Sequence, residues 1–341
     1  MITRRDHWQD RPVFVTGATG FLGGWLVKEL VERNARVVAL VRDGAPRSCF
    51  ALDGMADRVE TVHGSLADHA LLRRTLCEYE IATVFHLGAQ ALVGVARADP
   101  LGTLEANVAG TWNLLEAARH SPVQQVVVAS SDKAYGPSPN LPYSESHPME
   151  GRYPYDVSKS CVDLICRMYA ETYGVPVCVT RCGNLFGGGD RNSRRTVPGV
   201  ITATLRGERF VIRSDGHYVR DFLYVRDAVH AYLTLAEAMA AGPELRGEAF
   251  NFSMEVRYTV LELVELVLQL MGRPDLRPIV QSIATDEIRE QYMVANKARR
   301  VLGWAPKFTM QQGLQETIAW YANELAAATA ATASPRAVQA R

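Results

Sequence analysis

Short runs of apolar residues recur through the first half of the chain and alternate with helical patterns. The runs are Val13–Thr16, Arg36–Val41, Arg58–Val62, Ala82–His86, Gln125–Ala129 and Val177–Arg181. Phe21–Glu32, Pro100–Arg119 and Tyr153–Tyr173 space their apolar residues for helices; in the first, Leu22, Trp25, Leu26, Leu30 and Val31 share a face. Strands that are apolar throughout, rather than alternating, are buried on both faces. Such strands alternating with helices predict an α/β fold with a doubly wound parallel sheet.

After Arg181 the pattern loosens. Gly183–Asp190 (GNLFGGGD) and Arg191–Pro198 read as loop, whereas Thr259–Met271 is an amphipathic helix. A smaller C-terminal α/β domain is expected, with the chain returning to the sheet near Asp221–Ala236. The expected domains are residues 1–182 with a return at about 215–245, and mainly 183–325. The Ala-rich end, 326–341, reads as a frayed helix end running into a disordered tail.

With 341 residues and 48% hydrophobic content, a sizeable core is possible. Acidic and basic residues balance at 37 each and are spread along the chain, which gives no electrostatic reason to expect nucleic acid or a membrane surface as partner. There is no long apolar run, and the charged MITRRDHWQDRP does not read as a secretory signal. The cysteines, Cys49, Cys77, Cys161, Cys166, Cys178 and Cys182, show neither a C-x-x-C pair nor zinc-site spacing, so reduced thiols in a cytoplasmic protein without a metal are expected.

The first strand runs into VTGATGFLG, which spaces Gly17, Gly20 and Gly23 between strand and helix. Glycines let the backbone approach a pyrophosphate, and the helix N-terminus then offers it free N–H groups. Strand, glycine loop and helix in this order predict a dinucleotide site. At the end of the second strand, Arg42 suits a 2′-phosphate and favours NADP, while Asp43 beside it can reach the ribose of NAD.

YDVSK places Tyr155 and Lys159 on one helix face. A neighbouring ammonium favours phenolate over the free tyrosine, whose pKa is near 10. The strand Gln125–Ala129 leads into SSDKAYG, which sets Ser131, Asp132 and Lys133 at its carboxyl end, where ligands of such sheets bind. HLGAQ after the fourth strand offers Gly88 and Ala89 to a cofactor ribose, and Asn107 opens NVAGT.

Together TGATGFLG, HLGAQ, NVAGTWNLLEAA, SSDKAYG, YDVSK, RCGNLFGGGD, VRDFLYVRDAV and NKARRVLGW resemble the extended short-chain dehydrogenase/reductase family, in its nucleotide-sugar epimerase/dehydratase branch; the likeness covers about residues 12–325. It implies a Rossmann-type sheet holding NAD(P) tightly, a C-terminal domain that grips a nucleotide diphosphate sugar, and a homodimer formed by the helices Pro100–Arg119 and Tyr153–Tyr173. Tyr155 would take the 4-OH proton of the sugar, Lys159 would assist it and bind the nicotinamide ribose, and Ser131 would bond the 4-oxygen. The implied cofactor contacts are Gly17, Thr19, Gly20, Phe21, Leu22, Gly23, Arg42, Ser65, Leu66, Leu87, Gly88, Ala89, Lys159 and Arg181. Gln90, Asn184, Pro198, Arg213 and Arg220 would face the substrate.

Asp132 and Lys133 separate the branches. The pair looks like that of CDP-glucose 4,6-dehydratases, whereas dTDP-glucose dehydratases typically carry Asp-Glu and 4-epimerases small or hydroxyl residues. Elimination of water across C5 and C6 needs an acid and a base side by side. Asp132 is cast as the acid at O6 and Lys133 as the base at C5, a role that needs its amine neutral. The alternative is an ion pair beside the site of a 4-epimerase or another oxidoreductase without water loss. VRDFLYVRDAV looks more like the dTDP-sugar and epimerase relatives, which leaves the nucleotide base open.

Overall fold

The computed structural model describes residues 7–283 and 288–333. β1 (Pro12–Thr16), β2 (Arg36–Val41), β3 (Glu60–His63), β4 (Thr83–His86), β5 (Gln125–Ala129) and β6 (Val177–Cys182) join with Ala249–Phe252 in a seven-stranded sheet. The order is Ala249–Phe252, β6, β5, β4, β1, β2, β3, and every neighbouring pair is parallel. This is the doubly wound, Rossmann-like α/β sheet expected from the strand pattern. The chain runs from β1 outward to β3, then crosses back to β4. The register sets Thr16 opposite His86, so the carboxyl ends of β1 and β4 open together where the strand order reverses.

Burial on both sides explains the apolar strands. On one face Phe14, Val84, Val126, Val128, Val177 and Val179 meet Leu72, Leu76, Leu114, Leu115, Val162 and Cys166 from the covering helices. Alternate strand residues point the other way. There Phe85 lies between Trp8 and Tyr232, with ring centroids 5.9 and 6.5 Å apart. Each large apolar side chain fully buried in this way contributes about 1.5–3 kcal/mol.

The helix Pro154–Tyr173 starts with proline at its first position, where a missing N–H costs nothing, and ends at Gly174 in the left-handed region (φ 67°). The Pro100–Arg119 helix is continuous but not uniform. A π turn over Glu105–Ala109 separates the α-helical Pro100–Leu104 and Gly110–Arg119 and carries the buried Asn107.

Three expectations are corrected. The strand that rejoins the sheet is Ala249–Phe252; Val219–Tyr224 pairs instead with Glu290–Gln291, and Val225–Ala241 is a helix. The stretch read as loop after Arg181 contains the short strand Asn184–Phe186 and the start of the helix Thr196–Leu205, whose apolar Val197, Val200 and Ile201 were hidden behind a Gly- and Arg-rich lead-in. The C-terminal helix Met310–Ala333 continues past residue 326, as alanine's high helix propensity allows; residues 334–341 of the expected tail lie outside the described residues.

The chain divides into two compact units. The first holds Met1–Leu185, Val219–Arg257 and Ile288–Lys307, and the second Phe186–Tyr218, Tyr258–Glu287 and Phe308–Arg341. In the second, the helices Thr196–Leu205, Val260–Leu270 and Met310–Ala333 pack on one another, and Val211–Ile212 pairs in parallel with Ile279–Val280. Thr259 and Glu262 close a reciprocal cap at the start of the Val260–Leu270 helix.

Candidate active site

The glycine loop is built by steric exclusion. Gly17 has φ +73°, and a Cβ there would lie 2.7 Å from the backbone of Leu87 and Gly88 at the end of β4. At Gly23 a Cβ would lie 2.0 Å from the Gly17 carbonyl oxygen, so only glycine lets the helix start against the loop. Gly20 caps that helix without a side-chain hydrogen bond. The first-turn N–H groups are thereby left for an anion, which fits the pyrophosphate of a dinucleotide. Thr19, Phe21 and Leu22 are half-buried around this turn.

A buried relay ties the loop to its neighbours. The Thr111 hydroxyl donates to the Asn107 carbonyl (2.6 Å), so it accepts from His86 Nε2 (3.1 Å). His86 Nδ1 then accepts from the Thr16 hydroxyl (2.7 Å), which itself accepts from Gly88 N (3.0 Å). Burial, aided by the charge of Lys159, pushes the His86 pKa down to about 3, consistent with the neutral ring this relay needs. Asn107 extends the clamp. Its oxygen accepts from Gln90 N (2.7 Å), and its nitrogen donates to Gln90 O (3.1 Å) and to Ser158 Oγ (2.8 Å). The π turn therefore fixes both the Leu87–Gln90 segment and the helix that carries Tyr155.

At the β2 end, Arg42 and Asp43 are exposed and paired, Nε to Oδ2, at 2.6 Å. Beyond β3, Leu66 packs against the sites of Gly88 and Gly110, its carbonyl held by Asn113 Nδ2 (2.9 Å), and Ser65 Oγ accepts from Ala67 N (3.2 Å). Ala89, next along from Gly88, is exposed.

The catalytic candidates meet between β5 and the Pro154–Tyr173 helix. Lys159 Nζ donates to the Ala129 carbonyl at 2.7 Å and lies 5.9 Å from the Tyr155 ring centroid. Burial pushes the Lys159 pKa down to about 8, against the opposing pull of Asp163. Ser131 Oγ donates to Asp132 Oδ1 (2.8 Å), and Lys133 Nζ donates to Gln291 Oε1 (2.9 Å). Asp132 is buried, and its Oδ2 has no hydrogen-bond partner among the described residues. That burial raises its pKa above the usual carboxylate value, against the pull of Lys133 and Arg220.

Two further carboxyls surround this pair. Burial raises Asp156 to about 6 and Asp221 to about 8, and the charge of Asp132 pushes both further up. Neither residue, nor Gln291, was singled out from the sequence. Asp221 sits inside the VRDFLYVRDAV segment, whereas Gln291 belongs to a two-residue strand with no motif around it.

Arg181, expected among the cofactor contacts, is engaged in a buried polar cluster. It is buried, donating from Nε (2.9 Å) and Nη2 (2.7 Å) to Asp163 and from Nη1 (2.8 Å) to the Tyr135 hydroxyl. Ser130 Oγ donates to the other Asp163 oxygen. Of the substrate candidates, Asn184 is half-buried, and Arg220 is buried with Nη1 on the carbonyls of Val219 (2.9 Å) and Arg289 (3.1 Å). Gln90 turns its own Oε1 to Leu92 N (2.8 Å). Pro198 and Arg213 belong to the second unit, Pro198 buried in its helix and Arg213 exposed after Val211–Ile212.

Known proteins share this plan. The chain is 30% identical over 332 residues to a CDP-glucose 4,6-dehydratase of Salmonella typhimurium, covering 93% of this chain and 92% of the relative. A UDP-glucose 4-epimerase of Thermotoga maritima, solved with UDP-glucose, superposes with a TM-score of 0.84 at 26% identity, covering 92% of this chain and 99% of that one. A dTDP-glucose 4,6-dehydratase of Streptomyces venezuelae, solved with NAD bound, gives 0.83 at 27% identity, covering 92% and 98%. The sequence model of the NAD dependent epimerase/dehydratase family matches residues 13–252, and the chain belongs to that family.

Proposed function

We propose that the protein is a nucleotide-diphosphate-sugar 4,6-dehydratase, converting an NDP-hexose to an NDP-4-keto-6-deoxyhexose. One observation carries this reading: Asp132, with a free buried oxygen, stands beside Lys133 at the carboxyl end of β5, in the same site as Ser131, Tyr155 and Lys159. The glycine cradle and the β4 end fit a nicotinamide dinucleotide, held throughout the cycle.

When bound, the nicotinamide supplies the acceptor that takes hydride from C4 and gives it back at C6. Tyr155, as phenolate, takes the 4-OH proton, and Ser131 hydrogen-bonds the new 4-oxygen. The ketone acidifies C5. Lys133 takes the C5 proton, the C–H electron pair forms the C5–C6 double bond, and the C6–O bond breaks as Asp132 gives O6 its proton. One water leaves. Lys133 returns its proton to C5, and transfer of the proton on Tyr155 to Asp132 through solvent resets the site. The acid role of Asp132 draws on its raised pKa.

NADP is placed ahead of NAD, because Arg42 is exposed at the β2 end and suits a 2′-phosphate; its partner Asp43 is the group that NAD would use. The NAD found with the Streptomyces enzyme makes this choice a direct test: Arg42→Ala should weaken NADP binding and spare NAD. A homodimer is proposed from the exposed Leu101, Leu104, Trp112, Leu164 and Met168, which lie on helices that pack together within the first unit.

The second reading, a 4-epimerase, draws on the likeness to the Thermotoga enzyme. Incubation with CDP-, dTDP-, UDP- and GDP-glucose, followed by mass spectrometry, separates the two. A product lighter by one water supports the dehydratase, and a product of unchanged mass the epimerase.

A further inference from the structure

We infer that Gln291 is a positioning residue for Lys133, an uncharged partner that holds the amine in place without fixing it as an ammonium. The inference rests on the dehydratase reading, in which Lys133 is the base at C5.

Gln291 is fully buried on the strand Glu290–Gln291, which pairs with Val219–Tyr224 in the first unit. Its Oε1 accepts from Lys133 Nζ at 2.9 Å, and its Nε2 has no partner among the described residues. An ammonium can only donate, so the amide oxygen must face it and the amide nitrogen is the end left over. A buried donor without an acceptor costs about 1–3 kcal/mol. The leftover nitrogen has a use once Lys133 is neutral. A neutral amine has a lone pair and can accept from an amide N–H, so a turn of the amide serves either protonation state. A carboxylate at 291 would serve only the ammonium.

The other groups facing Lys133 point the same way. Asp132 on its own turn and Asp156 on the Pro154–Tyr173 helix are both raised toward the neutral acid by burial. Arg220, on Val219–Tyr224, adds positive charge that acts on Asp132. Burial thus weakens the negative charge beside the amine, and Gln291 adds direction without adding charge.

The test compares Gln291→Glu and Gln291→Leu with the wild type, using the sugar nucleotide that the wild type dehydrates. Two steps are followed: C4 oxidation by absorbance of the reduced cofactor in single turnover, and elimination by water loss and by deuterium uptake at C5 in heavy water. In Gln291→Glu, C4 oxidation should persist, and the pH at which elimination is half-maximal should move up by about one unit or more, as a new opposite charge in contact with a base would cause. In Gln291→Leu, elimination should fall about 10–100-fold with KM little changed, since a base that is present but unaimed loses most of a general-base contribution. Persisting C4 oxidation shows that each variant is folded. An unchanged pH profile in Gln291→Glu, or full elimination in Gln291→Leu, would overturn the inference and leave the dehydratase reading standing. A wild type that never releases water overturns that reading itself.

Discussion

Lys159 Nζ donates to the carbonyl of Ala129 across 2.7 Å, and so joins the Pro154–Tyr173 helix to the last residue of β5. Ser131, Asp132 and Lys133 leave the sheet from that same point. In the proposed mechanism the lysine would do two jobs: put a charge against the Tyr155 ring, 5.9 Å from its centroid, and set the spacing between the tyrosine and Asp132 and Lys133. Asp163, held by Arg181 and Ser130, keeps the charge on the lysine against the burial that lowers its pKa to about 8.

Lys159→Met removes charge and tether together. C4 oxidation should slow by about two to four orders of magnitude, the size of a general acid–base contribution. Single-turnover absorbance of the reduced cofactor reads this step directly. A loss of less than tenfold would show that Tyr155 does not depend on the lysine.

Asp132→Asn should separate the two halves of the reaction. The amide keeps the shape and the acceptor for Ser131 but has no proton to give O6. Reduced cofactor should accumulate while water loss stops. If turnover to the lighter product continues unchanged, the acid at O6 is another group.

The sheet and the glycine loop were legible because each depends on local chemistry. An apolar run such as Val126–Val128 must be buried on both faces, and Gly17, Gly20 and Gly23 mark a turn that a Cβ would block. Tyr155, Lys159 and Ser131 to Lys133 stood out by their places at helix start and strand end, and their proposed roles come with the family resemblance. Gln291 could not be read in this way, because it reaches Lys133 from 158 positions away. Asp221 looks like an ordinary charged residue until its complete burial is known. The buried setting of Arg181 was hidden too, because its partner Asp163 lies on the preceding helix and the pair meets only in the fold.

Gly23→Ala tests the cradle. The new Cβ would sit 2.0 Å from the Gly17 carbonyl oxygen, and the crowding is against backbone, so the loop or the helix start must move. Overpacking of this kind costs about 1–3 kcal/mol. Calorimetric titration should show dinucleotide binding lost or weakened by more than tenfold. Gly20→Ala is the control, since its Cβ meets only the Gly17 oxygen at 3.1 Å and should be felt far less.

Asp221 should make the protein less stable as pH rises, contrary to the usual behaviour of a carboxylate. Burial holds its proton to about pH 8 in the folded chain, whereas the ordinary value is 3.8. Between those values the unfolded chain binds fewer protons than the folded one, so stability falls with increasing pH. The contribution is complete below about pH 4 and is lost by about pH 8, at up to about 1.4 kcal/mol per unit. Asp221→Asn removes the titration but keeps an oxygen for the Met293 N–H, which Asp221 Oδ2 now accepts at 3.2 Å. Thermal unfolding at pH 5 and pH 8 should show the variant gaining on the wild type at the higher pH. Curves that stay parallel at both pH values would mean that the buried carboxyl is ionised in the folded protein and that its charge is met by a neighbour such as Arg220.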